Sequence, residues 1–278
     1  MSAIHVPPKT LPSGAKIPVV GLGVYLSEPG AETYDAVLSA LKLGYRHIDT
    51  AQYYANEADV GKAVRDSGIP RDQVFVTSKL FLTNWGYDKA IAAVKESNEK
   101  LGLGYIDLFL LHAPGDAATR AETWRALEDL QTQGVLRDIG VSNFGEAHLK
   151  KLAETWKAKP AVNQVELHPW LTRADLVEYH KQVGIPLEAY SPLAKANKLV
   201  DPVVNEIAAE VKATPAQVLI AWSLAKDFIT LPKSVNPDRQ KLNLEAVNVK
   251  LSDAQVAKLD ALDEYLTTGW DPIKEHAV

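Results

Sequence analysis

Four residues that lie far apart in the chain, Asp49, Tyr54, Lys79 and His112, carry side chains that together could deliver a proton to an oxygen atom. A phenol titrates near 10, so as a donor at neutral pH it gains from a neighbour that stabilises the phenolate. An ammonium about 4 Å from the phenolic oxygen supplies about 4 kcal/mol at an effective dielectric of about 20. Lys79 is therefore a sufficient tuner for Tyr54, and Asp49 beside it would hold the ammonium charged in a desolvated pocket. His112 could orient a carbonyl oxygen by hydrogen bond. The chemistry such a group suits is protonation of oxygen while a hydride arrives at carbon. A lysine in this setting could instead form a Schiff base if burial lowered its pKa, a role that an adjacent Asp49 opposes. Taken singly, each residue is equally well explained as a cap, a surface pair or a satisfied histidine. Their shared position in the chain's architecture is what distinguishes them.

That architecture begins with the stretch Gly44 to Glu57. Tyr45 to Thr50 is short and β-rich after the turn residue Gly44, and then the apolar pattern stops and Asp49, Tyr53, Tyr54, Asn56 and Glu57 appear. The same alternation recurs along the chain. Thr10 to Ile17, with Pro12-Ser13-Gly14, reads as a hairpin and Val19 to Val24 as a first inner strand. Helical stretches near 31–43, 57–66, 87–101, 119–133, 146–156, 172–183 and 201–211 alternate with strands near 46–50, 74–79, 106–111, 137–141, 162–167, 186–190 and 229–232. Eight strands in alternation with helices predict an α/β fold with a parallel sheet closed as a (β/α)8 TIM barrel, preceded by an N-terminal β-hairpin. Thr119 with Glu122, Thr214 with Gln217 and Ser252 with Gln255 fit capping boxes, and Trp124, Leu127 and Leu130 form an inward stripe ended by Gly134. No Gly/Ser-rich linker interrupts the alternation, so one domain over 1–278 is expected. Gly21-Leu22-Gly23 lacks the third glycine and the prompt helix of a dinucleotide-binding loop.

In a barrel the strand ends converge on one face. Reading the polar residues at each end gives Asp49, Lys79, His112, Ser142-Asn143, Gln164 to His168, Tyr190-Ser191 and Lys233-Ser234. At these positions the chain resembles the aldo-keto reductases, including their microbial diketogluconate-reductase-like members. The matching segments are Gly44 to Ala51 with Tyr54, Asn56 and Glu57; Ser78-Lys79-Leu80; Ile106 to His112; Gly140 to Phe144; Asn163 to Pro169; Tyr190 to Leu193; and Pro232 to Val235. The resemblance implies an NADPH-dependent oxidoreductase that reduces aldehydes and ketones, with Tyr54 as general acid, Lys79 and Asp49 as its tuning pair and His112 as carbonyl orienter. It implies that Ser142, Asn143 and Gln164 hold the nicotinamide carboxamide and that Tyr190 stacks on the ring. Ser191 and Leu193 match pyrophosphate contacts, and Lys233, Ser234, Arg239 and Asn243 the grip on the 2′-phosphate and adenine. Two cations near a predicted helix start suit a phosphate on their own account. The resemblance also leaves open a non-catalytic NADP(H)-binding sensor or structural subunit.

The chain departs from the family pattern where Ala113 follows the histidine, and where Tyr25 and Phe81 stand at positions often held by tryptophan. These three residues, with His112, are the expected substrate-binding set, and the smaller Tyr25 and Ala113 predict a wider pocket. Trp85, Trp170 and Trp270 are further candidate walls, equally explained as packing. Leu242 replaces a common adenine-binding glutamate.

The 278 residues carry a net charge of −5, with a pI near 5.8, which offers no general attraction for nucleic acid or an anionic membrane. With no cysteine there is no disulfide framework and no thiolate-held metal, and no metal site is expected. The N-terminus lacks the apolar core of a signal peptide, and no stretch approaches the ~20 apolar residues of a membrane helix. A cytoplasmic monomer acting on a small carbonyl compound is the expectation.

Overall fold

The computed structural model describes residues 4–278. Eight parallel strands lie side by side in chain order: β3 (Leu22–Gly23), β4 (His47–Asp49), β5 (Phe75–Leu80), β6 (Ile106–Leu111), β7 (Leu136–Ser142), β8 (Asn163–Glu166), β9 (Leu187–Tyr190) and β10 (Ile229–Leu231). The last strand meets the first through a parallel bridge between Val20 and Thr230, with Gly21 N donating to the Thr230 carbonyl and Thr230 N to that of Val19. Gly21 and Gly23 serve this closure: a Cβ at Gly21 would lie 2.7 Å from the His47 ring and one at Gly23 3.3 Å from the Leu231 carbonyl. The glycine pair is a packing requirement of the barrel seam. The expected inner strand 19–24 is correspondingly shorter, because its first residues make only an isolated bridge.

Helices α1 (Ala31–Leu43), α2 (Glu57–Asp66), α3 (Tyr87–Leu101), α4 (Arg120–Thr132), α5 (Glu146–Ala153), α6 (Ala174–Val183), α7 (Pro202–Glu210), α8 (Pro215–Ala225), α9 (Pro237–Glu245), α10 (Asp253–Asp260) and α11 (Pro272–Glu275) occupy the remaining chain. Of the three expected capping boxes, those at Thr214 and Ser252 form, each with its glutamine reaching back to the cap backbone. The third does not. Thr119 has αR-like backbone and makes no side-chain cap bond; its hydroxyl donates to Asp116, and α4 starts from the Asp116 turn instead. Trp124, Leu127 and Leu130 of α4 are each at most 1% exposed, as the three-residue spacing requires. No helix among the described residues is long and apolar enough to cross a membrane.

A hairpin of β1 (Pro8–Thr10) and β2 (Lys16–Pro18) precedes the barrel. Its Leu11 and Ile17 are buried with Phe75, Leu108, Leu110 and Ile229 from the barrel strands and with Val162, just before β8. Ser13 Oγ donates to Asp138 Oδ2 at 2.6 Å, tying the turn to β7. The hairpin thus buries apolar side chains of the barrel, and the strand ends beyond Asp49, Leu80, Leu111, Ser142 and Tyr190 are left to the loops.

Candidate active site

Asp49 ends β4, and the chain then turns through Ala51 into a single 3-10 turn, Gln52–Tyr54, closed by Ala55 in the left-handed region (φ 56). Two side chains, the buried Asn56 and the half-buried Gln52, fix that turn. Asn56 accepts from Thr50 Oγ1 (2.6 Å) and donates to the Val24 carbonyl (3.2 Å), joining the loop of Tyr54 to the loop of Tyr25. Gln52 accepts from Phe81 N (2.9 Å) and donates to the Ala93 carbonyl and Ser97, joining it to the end of β5.

Within this frame Lys79, at 1% exposure, donates three hydrogen bonds: to Asp49 Oδ1 (2.6 Å), to the Thr50 carbonyl (3.0 Å) and to Tyr54 Oη (3.2 Å). An ammonium has three N–H groups, and all are used. Because the phenolic oxygen accepts from Lys79, the Tyr54 O–H hydrogen is free to point elsewhere. Burial works against the Lys79 charge, but Asp49 and Tyr54 outweigh it and hold the ammonium above its ordinary range. The expected lowering of the Tyr54 pKa is not what the structure gives. Burial raises it more than Lys79 lowers it, and Asp49 adds to the rise, so the phenol keeps its proton through neutral pH.

His112 completes the group. Its ring centroid is 5.7 Å from that of Tyr54, edge to face. Burial, and then the Lys79 charge, depress its pKa to about 3, so the imidazole is neutral. Its Nδ1 is buried without a partner, leaving Nε2 as the end able to meet a ligand. The structure therefore brings Asp49, Tyr54, Lys79 and His112 together.

The next strand ends form a single polar network. Ser142 Oγ donates to the Gln164 carbonyl (2.8 Å), and Asn143 Nδ2 donates to Ser142 Oγ (3.1 Å) and to the His112 carbonyl (3.0 Å). Tyr190 Oη donates to Asn143 Oδ1 (2.9 Å). Asn143 sits at φ 63, a backbone state that asparagine tolerates better than most residues. Gln164 Nε2 donates to Asp49 Oδ2 (2.8 Å) and to Glu188 Oε2 (3.2 Å), so both its N–H groups are engaged while its Oε1 receives no bond from the protein.

Beyond this network, Ser191 (φ 49) opens a tight loop with Leu193 packed against the core. Lys233 and Arg239 are exposed and have no carboxylate partner among the described residues. Arg239 lies in the first turn of α9, whose cap Asn236 accepts from Arg239 N (3.0 Å); Asp238 in the same turn opposes an anion there. Ser234 Oγ donates to the Asn236 carbonyl, and Asn243, at 4% exposure, is on the covered side of the helix, whereas Leu242 is 38% exposed.

Aromatic rings frame the opening. Tyr25, 43% exposed, has its ring centroid 5.0 Å from that of Tyr54, and Phe81 lies 6.1 Å from His112 with Tyr53 stacked on it at 4.6 Å. Ala113 does not belong to this exposed rim: it is 0% exposed. Trp85 and Trp170 are likewise core residues, and of the three tryptophans only Trp270 is exposed. Tyr53 and Glu188 were not singled out as site residues from sequence. The first was hidden beside Tyr54 in one aromatic run. The second had a signal, an acid inside the apolar strand Leu187 to Tyr190 and two residues before Tyr190, hence on the same face.

Eight parallel strands closed at the Val20–Thr230 bridge, with polar side chains gathered at the strand ends, define a TIM barrel with one candidate site. Residues 21–264 match the Aldo/keto reductase family. The chain is 44% identical over 266 residues to the 9,11-endoperoxide prostaglandin H2 reductase of Trypanosoma cruzi, covering 95% of this chain and 94% of that one. Among solved structures, the aldo/keto reductase of Brucella melitensis shares 38% identity at a TM-score of 0.90, covering 93% of this chain and 100% of that one. A Bombyx mori aldo-keto reductase in complex with NADP shares 30% identity at a TM-score of 0.90, covering 96% and 95%. The chain belongs to the aldo/keto reductase family, whose members are NADP-dependent oxidoreductases acting on carbonyl compounds.

Proposed function

We propose that this protein reduces aldehyde or ketone carbonyls to alcohols, with NADPH as reductant and Tyr54 as the general acid. The observation that carries the reading is the direction of the hydrogen bond between Lys79 and Tyr54. Lys79 donates, so the phenol retains its own proton for a second acceptor, and neutral His112 beside it supplies a site for the same oxygen. The unengaged Oε1 of Gln164, the Tyr190 ring and the unpaired Lys233 and Arg239 suit a nicotinamide carboxamide, its ring and a 2′-phosphate respectively. The reduced nicotinamide, when bound, supplies the hydride. Ser142 and Asn143, joined by the bond from Asn143 Nδ2 to Ser142 Oγ, would form the wall beside the carboxamide. Ser191 and Leu193 would border the pyrophosphate, and Ser234 and Asn243 would flank the adenosine end.

A Schiff-base role for Lys79 is disfavoured by its three hydrogen bonds and by the Asp49 carboxylate that keeps it an ammonium. A pure cofactor-binding subunit needs neither the phenol nor the histidine. NADPH consumption against a panel of aldehydes, α-ketoesters, diketones and sugars tests the reading. Turnover of at least one carbonyl class with NADPH is expected; tight NADPH binding with no turnover of any would identify a binder.

A further inference from the structure

The barrel interior below the site contains a carboxyl group that the proposed reaction does not use. Glu188 is 0% exposed and lies on β9 two residues before Tyr190, in register with Gln164 on β8. Among the described residues its only donor is Gln164 Nε2, at 3.2 Å on Oε2. Its other oxygen, Oε1, is buried without a hydrogen-bond partner and faces His47 Nε2 at 3.7 Å. Among the described residues no cation contacts it: Lys79 is taken by Asp49, the Thr50 carbonyl and Tyr54.

An ionised carboxylate with one accepted bond and no counter-charge, in a fully enclosed site, is a costly species. The neutral acid removes the cost of the buried charge. His47 Nδ1 lies 3.2 Å from the Pro18 carbonyl and therefore carries the ring hydrogen, so the Nε2 lone pair accepts from Thr77 Oγ1 at 3.2 Å, and Glu188 Oε1 at 3.7 Å lies outside hydrogen-bond distance of that ring. Gly21, with no Cβ to strike that ring, allows it to sit there. The titratable or charged groups facing Glu188 are His47 and Asp49 from β4 and Lys79 from β5, while its partners on β10 and β8 present Ile229 and Gln164.

We infer that Glu188 is a positioning residue that works as an uncharged acid: with Asp49 it takes both N–H groups of Gln164, fixes the orientation of that amide and leaves Oε1 of Gln164 as its free end. An amide that could flip would present a donor in place of an acceptor to the ligand it meets. The Asp49 carboxylate, which can only accept, excludes the flip, Glu188 Oε2 holds the second N–H, and by staying neutral Glu188 leaves Asp49 as the sole carboxylate facing Lys79. Burial, and then the Asp49 charge, push the Glu188 pKa up to about 8, in agreement with the geometry. His47, held neutral with a pKa of about 4 chiefly by burial, does not compete for the proton. This role in cofactor orientation rests on the function proposed above, whereas the protonation state does not.

The experiment compares the wild type with Glu188→Gln, which is neutral, isosteric and still offers an acceptor to Gln164, and with Glu188→Leu, which offers none. The wild type at neutral pH should show the infrared carbonyl band of a buried carboxylic acid, and Glu188→Gln should lack it. The folded state binds this proton more tightly than the unfolded chain, so wild-type stability falls as pH rises from about 4.5 to about 8 and levels off above. The melting temperature of Glu188→Gln relative to wild type should therefore climb by several degrees across that window. Glu188→Leu should weaken NADPH binding about tenfold, Glu188→Gln by less than about twofold, and Glu188→Leu should add nothing to a Gln164→Ala background. An unchanged infrared band together with a flat stability difference overturns the neutral acid. Additivity of Glu188→Leu and Gln164→Ala overturns the positioning role. If NADPH does not bind the wild type, the proposed function fails while the infrared and stability readouts still decide the state of Glu188.

Discussion

Lys79 Nζ lies 3.2 Å from Tyr54 Oη, and its other two hydrogens are held by Asp49 and the Thr50 carbonyl. The ammonium can therefore only donate to the phenol, which determines where the phenolic proton goes. Removing that proton without altering the ring is the direct check. Tyr54→Phe should bind NADPH with affinity within about twofold of wild type, and its kcat for carbonyl reduction should fall by at least about 100-fold. Fluorescence titration and steady-state kinetics read the two separately, and retained turnover would place the proton source elsewhere.

The same pair predicts an asymmetry in stability. Asp49 and Lys79 are 4% and 1% exposed and 2.6 Å apart. Breaking a buried pair from one side leaves an uncompensated charge, at a cost of about 3–5 kcal/mol. Asp49→Asn and Lys79→Met should each lose stability of this order in denaturant unfolding, and the double variant should recover most of it because neither charge remains. All three should be nearly inactive, so stability and turnover separate in the double variant.

The pH dependence follows from two groups with shifts of known direction. His112 is depressed to about 3, so it stays neutral across the range in which a free histidine would titrate, and kcat/KM for reduction should show no inflection near pH 6.5. The Tyr54 phenol is raised, so the donor form persists through neutral pH and reduction should decline only in the alkaline range. Alcohol oxidation needs the deprotonated phenol and should increase with pH over the same interval. A reduction rate falling with pH between about 6 and 7 would contradict both assignments.

The barrel and the convergence of its polar strand ends were legible because their signals are local and repeated. Periodic apolar stretches mark the elements, and a run such as Tyr45 to Glu57 shows where a strand stops and chemistry begins. What escaped depends on side-chain direction and neighbours. Thr119 has the residue pattern of a cap, but its hydroxyl finds Asp116 first. Ala113 follows the site histidine in sequence yet is fully buried. The net direction of the Tyr54 shift could not be read from charge pairing alone, because the opposing term is burial, which no single-residue pattern reports. Glu188 could have been noticed as an acid in an apolar strand, although its single bond to Gln164 is a property of two strands in register.

Cofactor discrimination should reside in Lys233 and Arg239. Neither has a carboxylate partner among the described residues, so their removal disturbs no ion pair of the fold. A charge-assisted hydrogen bond contributes about 1.5–3 kcal/mol. Lys233→Ala and Arg239→Ala should each weaken NADPH binding about 10- to 100-fold and leave NADH binding and the melting temperature nearly unchanged. The NADPH affinity of wild type should also fall more steeply with salt than that of either variant. Equal losses for both nucleotides would remove the 2′-phosphate from these two side chains.

Substrate selection should follow the exposed ring of Tyr25 rather than Ala113. Tyr25 stands 5.0 Å from Tyr54 and is 43% exposed, so a larger ring there reaches into the space a substrate must cross, whereas Ala113 is fully buried. Tyr25→Trp should lower kcat/KM for bulky ketones relative to small aldehydes while leaving stability within about 0.5 kcal/mol, as for an exposed substitution. Ala113→Trp should behave differently, because inserting a large side chain into a packed interior costs about 1–3 kcal/mol or more and shifts backbone. Its effect should appear first in the melting temperature. Competition kinetics with a paired bulky and small carbonyl, alongside thermal unfolding of both variants, separates the two. A selectivity change confined to Ala113→Trp in a fully stable protein would mean that the loop after His112 opens during turnover.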